Sequence, residues 1–349
     1  MRTRNDLKTY LRKQKKIFYW LKCWIKRNDT QFTNFVSGNY VYLPMKNNGN
    51  LNIGKTFYYI YFNNESEILG LATLWTRTIW YLLFAYQTGL IPIVEWGVDI
   101  PYAQPELLKD NDNSFEHYFN LVTEFSIEEV KNSHNVIDCD MSHLRNHIWI
   151  ENKSYSIIDT NFEIMAYISR KYIDLNDELK DFIKKDNTYQ MILNGRYIGV
   201  HIRGTDFRRN YNNHPVSLDI NDYTNYIDDL IIRGNIDGIF LATDDENIIN
   251  EMNSKYTERL VFFIDVYRSV TGKAIHYDIE SKRSLHKYKM GRELIRDIYT
   301  LAACDIFISG LSAVSTMTKV INKQQADQFS EVILIDKGIN NNLRNMKKA

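Results

Sequence analysis

The sequence is poor in cysteine, proline and glycine, and it carries no excess of charge. Its three cysteines, Cys23, Cys139 and Cys304, are far apart and form no CxxC or Cys/His pattern. That excludes a disulfide framework and a zinc-ribbon type of site, and it suits a reducing compartment. Five prolines and 15 glycines in 349 residues leave no Pro/Ser tract to act as a linker, and no internal repeat is visible. Lys plus Arg and Asp plus Glu number 43 each, so the net charge is zero. Nothing global attracts nucleic acid, which is not expected as a partner, and any anion site must be built locally from Arg, Lys or backbone N–H groups. The 24 tyrosines are scattered through apolar runs, where core packing accounts for them. No apolar run is long enough for a signal core or a membrane span, so the chain is expected in the cytoplasm.

What is present is the composition of a globular protein, 44% hydrophobic and 25% charged, with a length that favours two domains. The stretch from Met1 to Arg27 is basic, with Tyr10, Leu11, Ile17, Phe18, Leu21, Trp24 and Ile25 interleaved. It reads either as a helix packed on its domain or as a peripheral contact with the anionic inner membrane. Between Glu67 and Gly89 the pattern predicts one long buried helix, followed by a strand, IPIVEW, from Ile91. From there to the 180s the signals are mixed.

The second half is clearer. Short apolar runs, YIGVHIR from Tyr197, GIFLAT from Gly238, RLVFFID from Arg259, CDIFISG from Cys304 and EVILID from Glu331, predict parallel strands. Helical spacing over Ile220 to Arg233, Asp245 to Lys255, Gly291 to Ala303 and Ser312 to Ile321 predicts helices on both faces of that sheet. The expectation is an α/β protein of two units, 1–188 and 189–349, the second Rossmann-like. Ligands in such sheets sit beyond the carboxyl ends of the strands, so the residues just after each strand carry the chemistry.

At the first such end stand His201, Arg203, Gly204, Thr205 and Asp206. Strand alternation puts His201 and Arg203 on one face, and a planar guanidinium grips two phosphate oxygens at once, so Arg203 is the expected diphosphate clamp, fixed by Asp206. At the second end Thr243 or Asp244 is expected to cap the next helix, and Asp244 is also a candidate substrate-binding residue. At the fourth, Ser309, Ser312 and Ser315 surround a helix start, whose free N–H groups and hydroxyls make a second grip on a diphosphate. Arg292 and Asp297 lie on the preceding helix.

Together, GVHIRGTD, FLATDD and LIRDIYTLAACDIFISGLSAVST, in this order, resemble the α1,6-fucosyltransferase family, including the rhizobial nodulation enzymes, and more broadly the O-fucosyltransferase superfamily. The resemblance spans roughly residues 197–320 and extends weakly to the helix and strand before residue 97 and to SFEHYFN from Ser114. It implies a GT-B-like pair of α/β domains facing a cleft, with the acceptor on the first and a GDP-sugar, GDP-fucose foremost, on the second. It also implies inversion at the anomeric carbon and no metal or other cofactor; a chain expected in the cytoplasm, without signal or anchor, then points to a glycan acceptor in surface polysaccharide synthesis. By the same resemblance His201 contacts the nucleotide, Asp297 reads guanine and Arg292 lies near the donor. Asp138-Cys139-Asp140 has the Asp-x-Asp form but falls outside the Rossmann-like half and is not read as a metal motif. Departures matter too. Arg203 is followed by Gly204 where the α1,6 enzymes have a second arginine. The loop after Asp206 lacks their glutamate, with Arg208 or Arg209 at the place of their lysine. A general base must come from elsewhere, and Glu65 or Glu67 are the candidates. Another sugar or linkage, as in the α1,2-fucosyltransferases, and a GDP-sugar-binding protein without catalysis are the alternatives.

Overall fold

The computed structural model describes residues 31–36, 39–63, 69–108, 113–141, 143–144, 161–205, 214–272, 275, 281–325 and 328–340. The Met1 to Arg27 stretch, Glu65, Glu67, Asp206 and Arg208 lie outside the described residues.

A hairpin of β1 (Gln31–Val36) and β2 (Asn39–Pro44) precedes β3 (Phe57–Phe62), α1 (Leu71–Thr88) and β4 (Ile91–Trp96). The long helix and following strand expected from the sequence are both present. α1 is apolar almost all round because it is enclosed, with Leu71, Leu74, Trp75, Ile79, Leu82 and Phe84 all buried. It stops at Gly89, whose left-handed φ of 73° lets its N–H turn back to the carbonyls of Ala85 and Tyr86. A short α2 (Ile127–Lys131) leads to β5 (Val136–Asp138), and the three parallel strands run in the order β4-β3-β5.

Three helices follow, α3 (Phe162–Tyr172), α4 (Asp177–Lys184) and α5 (Asn187–Leu193), each started by an Asn or Asp side chain that accepts from first-turn N–H groups. Then come β6 (Tyr197–Ile202), α6 (Ile220–Arg233), β7 (Gly238–Thr243), α7 (Glu246–Tyr256) and β8 (Leu260–Val261). The described chain closes with α8 (His286–Ala302), β9 (Ile306–Gly310), α9 (Ala313–Asn322) and β10 (Glu331–Ile335). These five strands form one parallel sheet, β10-β9-β6-β7-β8. β6 and β7 are buried at every position, which is why they read as unbroken apolar runs. Ile239 and Leu241 pack with Ile227 of α6 and Met252 of α7. On the opposite face Phe240 and Phe307 pack with Ile298 of α8 and Met317 of α9.

The chain leaves β6 in one direction through β7 and β8, and returns on the other side through β9 and β10. The strand order therefore reverses between β6 and β9, where a crevice opens at the strand ends. The expected strand from Arg259 to Asp265 is only two residues long. Phe263 leaves the sheet: its ring turns against Phe240 and under the Arg296 guanidinium, and its carbonyl accepts from Arg268. α8 also begins earlier than expected, at His286. Gly291 in its interior marks a close approach, since a Cβ there would stand 2.2 Å from the Tyr118 hydroxyl. The apolar cluster that contains Tyr58, Trp75 and Leu82 continues through Ile168 to Ile295 and Met317, and α1 packs directly on α3 and α9.

Candidate functional site

At the end of β6 the imidazole of His201 is 7% exposed, with Nδ1 3.5 Å from the Ser312 hydroxyl. Burial pushes its pKa down to about 4, the nearby Arg203 charge adds to this, and Asp244 opposes it. His201 is thus a neutral hydrogen-bonding group at ordinary pH. Arg203 follows it and lines both lobes of the crevice. Asp244 does not cap a helix. Its two oxygens accept from the Gly204 N–H at 2.9 Å and the Thr205 hydroxyl at 2.7 Å, which fixes the loop that carries Arg203. The cap of α7 is Asp245, fully buried, accepting from the Asn247 N–H at 2.9 Å. Gly204 is a consequence of that arrangement: any Cβ there would sit 2.4 Å from the Cβ of Asp245. A second arginine has no room at this position.

At the end of β9 Ser309 and Ser315 turn inward, while Ser312 lines one lobe of the crevice. Ser309 and Ser315 hydrogen-bond each other at 2.7 Å, and Ser312 caps α9 by accepting from the Ser315 N–H at 3.0 Å. What reaches the cleft is the start of the helix itself, since Ala313 and Val314 line it. First-turn N–H groups have no acceptor within their own helix and gather partial positive charge.

α8 contributes the acid. Asp297 lines the cleft at 7% exposure, and its carboxylate accepts no hydrogen bond from any described residue. Burial pushes its pKa up to about 7; Arg268 and Arg296 pull it down, and Glu293 and Asp265 push it further up. One turn earlier, Glu293 also lines the cleft, held by Arg283 Nη1 at 2.7 Å and the Tyr267 N–H at 3.2 Å. Arg292 is on another side of α8, its guanidinium 4.3 Å from the Phe182 ring centroid and outside the cleft lining.

The far wall comes from the first half of the chain. Gly70, Leu71, Ala72 and Thr73 at the start of α1, together with Tyr102, complete a cleft of about 90 Å³. Gly70 offers no side chain to cap α1, and the first turn holds no acidic residue. Two helix N-termini, those of α1 and α9, therefore open into one space. The first of these, and Glu293, escape a reading that looks only after strands. Their signals are a helical run entered from glycine without an acid, and an acid four residues before Asp297 on the same helix face. The structure brings together His201, Arg203, Asp244, Asp297 and the Ser312 turn, with Asp244 also tying down the Arg203 loop, and leaves Arg292 aside.

Among the described residues no group of three or more His, Cys, Asp or Glu side chains is close enough to hold a metal ion, and no helix is long and apolar enough to cross a membrane. Asp138 of the Asp-x-Asp sequence is paired with Lys46.

No family model matches the chain, and no curated protein matches it by sequence. Solved structures do. A NodZ alpha-1,6-fucosyltransferase soaked with GDP-fucose is 16% identical, with 76% of this chain and 92% of that one covered and a TM-score of 0.46. The fucosyltransferase NodZ from Bradyrhizobium is 15% identical, over 77% of this chain and 93% of that one, with a TM-score of 0.47. POFUT1 in complex with GDP is 11% identical, over 80% and 99%, with a TM-score of 0.44.

Proposed function

We propose that this chain is a glycosyltransferase that takes fucose from GDP-fucose and passes it, with inversion, to a glycan hydroxyl. The observation that carries the reading is Asp297. A carboxylate on a cleft wall, accepting from no described residue, is free to accept from a ligand, and guanine presents two donors side by side, N1–H and the exocyclic amino group. Adenine, cytosine and uracil do not offer that pair. Around the same cleft stand a guanidinium, a neutral imidazole and two helix N-termini, the groups that hold a diphosphate.

In such a reaction negative charge grows on the bridging oxygen as the sugar leaves. Arg203, preorganised by the loop that Asp244 ties down, and the first turn of α9 stabilise that charge without any metal ion. His201, neutral, hydrogen-bonds the nucleotide. The acceptor approaches from the α1 side, within the unit 1–188, and Glu65 or Glu67, just ahead of α1, is the base. The motifs GVHIRGTD and LIRDIYTLAACDIFISGLSAVST support the same assignment.

Calorimetric titration with GDP, UDP, ADP and CDP, with and without EDTA, tests the donor half of this reading without knowledge of the acceptor. GDP should bind most tightly and EDTA should not matter. Preference for another base removes the assignment.

A further inference from the structure

The β4-β3-β5 sheet has two unlike faces. Along β3 the side chains of Tyr58, Ile60 and Phe62 enter the core shared with α1, while Tyr59 and Tyr61 stand on the opposite face. α2 covers part of that second face, where Ile127 and Val130 pack on Phe57, Ile93 and Val136. The helix ends at Lys131. Beyond it lies a cavity of about 320 Å³, walled by Tyr59, Tyr61, Lys46, Lys131 and Asp138, which shares no lining residue with the cleft.

Its chemistry is specific. The Tyr59 and Tyr61 rings are nearly parallel, 12° apart in plane with centroids at 5.8 Å, and Tyr61 is 39% exposed. Two ion pairs frame them, Lys46 with Asp138 and Lys131 with Glu95, the second at 2.8 Å. The Tyr59 hydroxyl also donates to Glu95, which is nearly buried and so holds its ring in place. Two cations and two carboxylates sum to zero, so an anionic or cationic ligand gains no net attraction. The Lys46–Asp138 pair nevertheless offers both a donor and an acceptor, as a hydroxyl requires, Lys131 adds a donor, and an aromatic ring gives an apolar face.

We propose that this cavity binds a neutral pyranose residue of a saccharide chain, its C–H face on Tyr61 and its hydroxyls on the Lys46–Asp138 pair and the Lys131 ammonium. The inference does not need the nucleotide reading of the cleft. If both hold, the cavity retains a glycan acceptor at a point distant from the bond being formed.

The test is tyrosine-ring NMR on the full chain during titration with chitotetraose, maltotetraose, cellotetraose and mannotetraose, repeated for Tyr61→Ala, Tyr61→Phe and Asp138→Asn. At least one saccharide should shift the Tyr59 and Tyr61 resonances at millimolar concentration. Tyr61→Ala should weaken it about tenfold or more, Tyr61→Phe should largely restore it, and Asp138→Asn should fall between. GDP affinity, measured on the same samples, should be unchanged in all three variants, which separates this site from the cleft and checks the fold. The proposal is overturned if none of the four saccharides moves these resonances, if binding survives Tyr61→Ala undiminished, or if the resonances shift with protein concentration alone, which would mark the face as a contact between copies of the chain.

Discussion

The two parallel sheets of this protein offer chemistry in different places. In the five-stranded sheet β6 and β7 are covered on both sides, so polar groups gather at and beyond the strand ends, where His201, Arg203 and the α9 start converge. In the three-stranded sheet β3 is covered on one side and only partly on the other, so Tyr59 and Tyr61 present their rings along the strand itself. Burial thus decides whether a sheet presents polar and aromatic groups at its strand ends or on its face. A strand-end site concentrates charge from several elements into a small volume, and an open face spreads aromatic surface over a longer one.

If that contrast is right, substitutions at the strand ends should affect the nucleotide and leave the tyrosine face alone. Arg203→Ala should have the largest effect, a loss of turnover of about a hundredfold, on the order of 3 kcal/mol in the barrier. Steady-state kinetics with GDP-fucose reads it, and near-normal turnover would remove Arg203 from the leaving-group side.

Next is Asp297→Asn, which should cost GDP roughly 2 kcal/mol of binding through loss of charge-assisted hydrogen bonds, and UDP or ADP much less. Its pH dependence has a definite sign. The carboxyl's folded pKa, about 7, lies above its unfolded value, so ionising it costs stability, and the cost grows as pH rises from the unfolded value to about 7. Melting curves should therefore show Asp297→Asn stabilising the free protein at pH 8 and not at pH 4. Binding runs the other way, because guanine's donors need the ionised form. Affinity of the wild type for GDP-fucose, whose diphosphate is esterified at both ends, should decline up to about tenfold per pH unit below 7, and the variant should lose that slope. His201 stays neutral through this range and should add nothing to it. A flat wild-type profile would contradict the role given to Asp297.

Gly204→Ala tests the packing beneath the site. With Asp245 2.4 Å from the new Cβ, the loop or the α7 cap must move, at about 1–3 kcal/mol in urea unfolding. An unchanged midpoint would mean that Gly204 serves no packing role. Ser312→Ala should give the smallest change, about 1 kcal/mol from the lost α9 cap, with a loss of GDP affinity no greater than that. A larger loss of affinity would show that the hydroxyl itself meets the diphosphate.

The same burial contrast explains what could be read from the amino acids. β6, β7 and β9 announce themselves because a strand buried on both faces must be apolar throughout, and the helices between them keep a regular apolar spacing. Around β3 the alternation of Tyr58, Tyr59, Ile60 and Tyr61 is written entirely in residues that suit a core, so the open face is invisible in sequence. Asp244 illustrates another limit. Two adjacent acids stood at the end of β7, and only the geometry shows that Asp245 caps the helix while Asp244 ties the loop at Gly204 and Thr205. β8 was overestimated because Phe262 and Phe263 look like strand residues, whereas Phe263 is drawn out of the sheet by Arg268 and Arg296.

α1 and α9 pack side by side and open at the same end into the cleft. Each of those ends carries roughly half a unit of positive charge. If a diphosphate binds there as proposed, it would meet both ends at once, so that one anion would bridge an element from each half of the chain. On that reading the donor would be a keystone as well as a reactant.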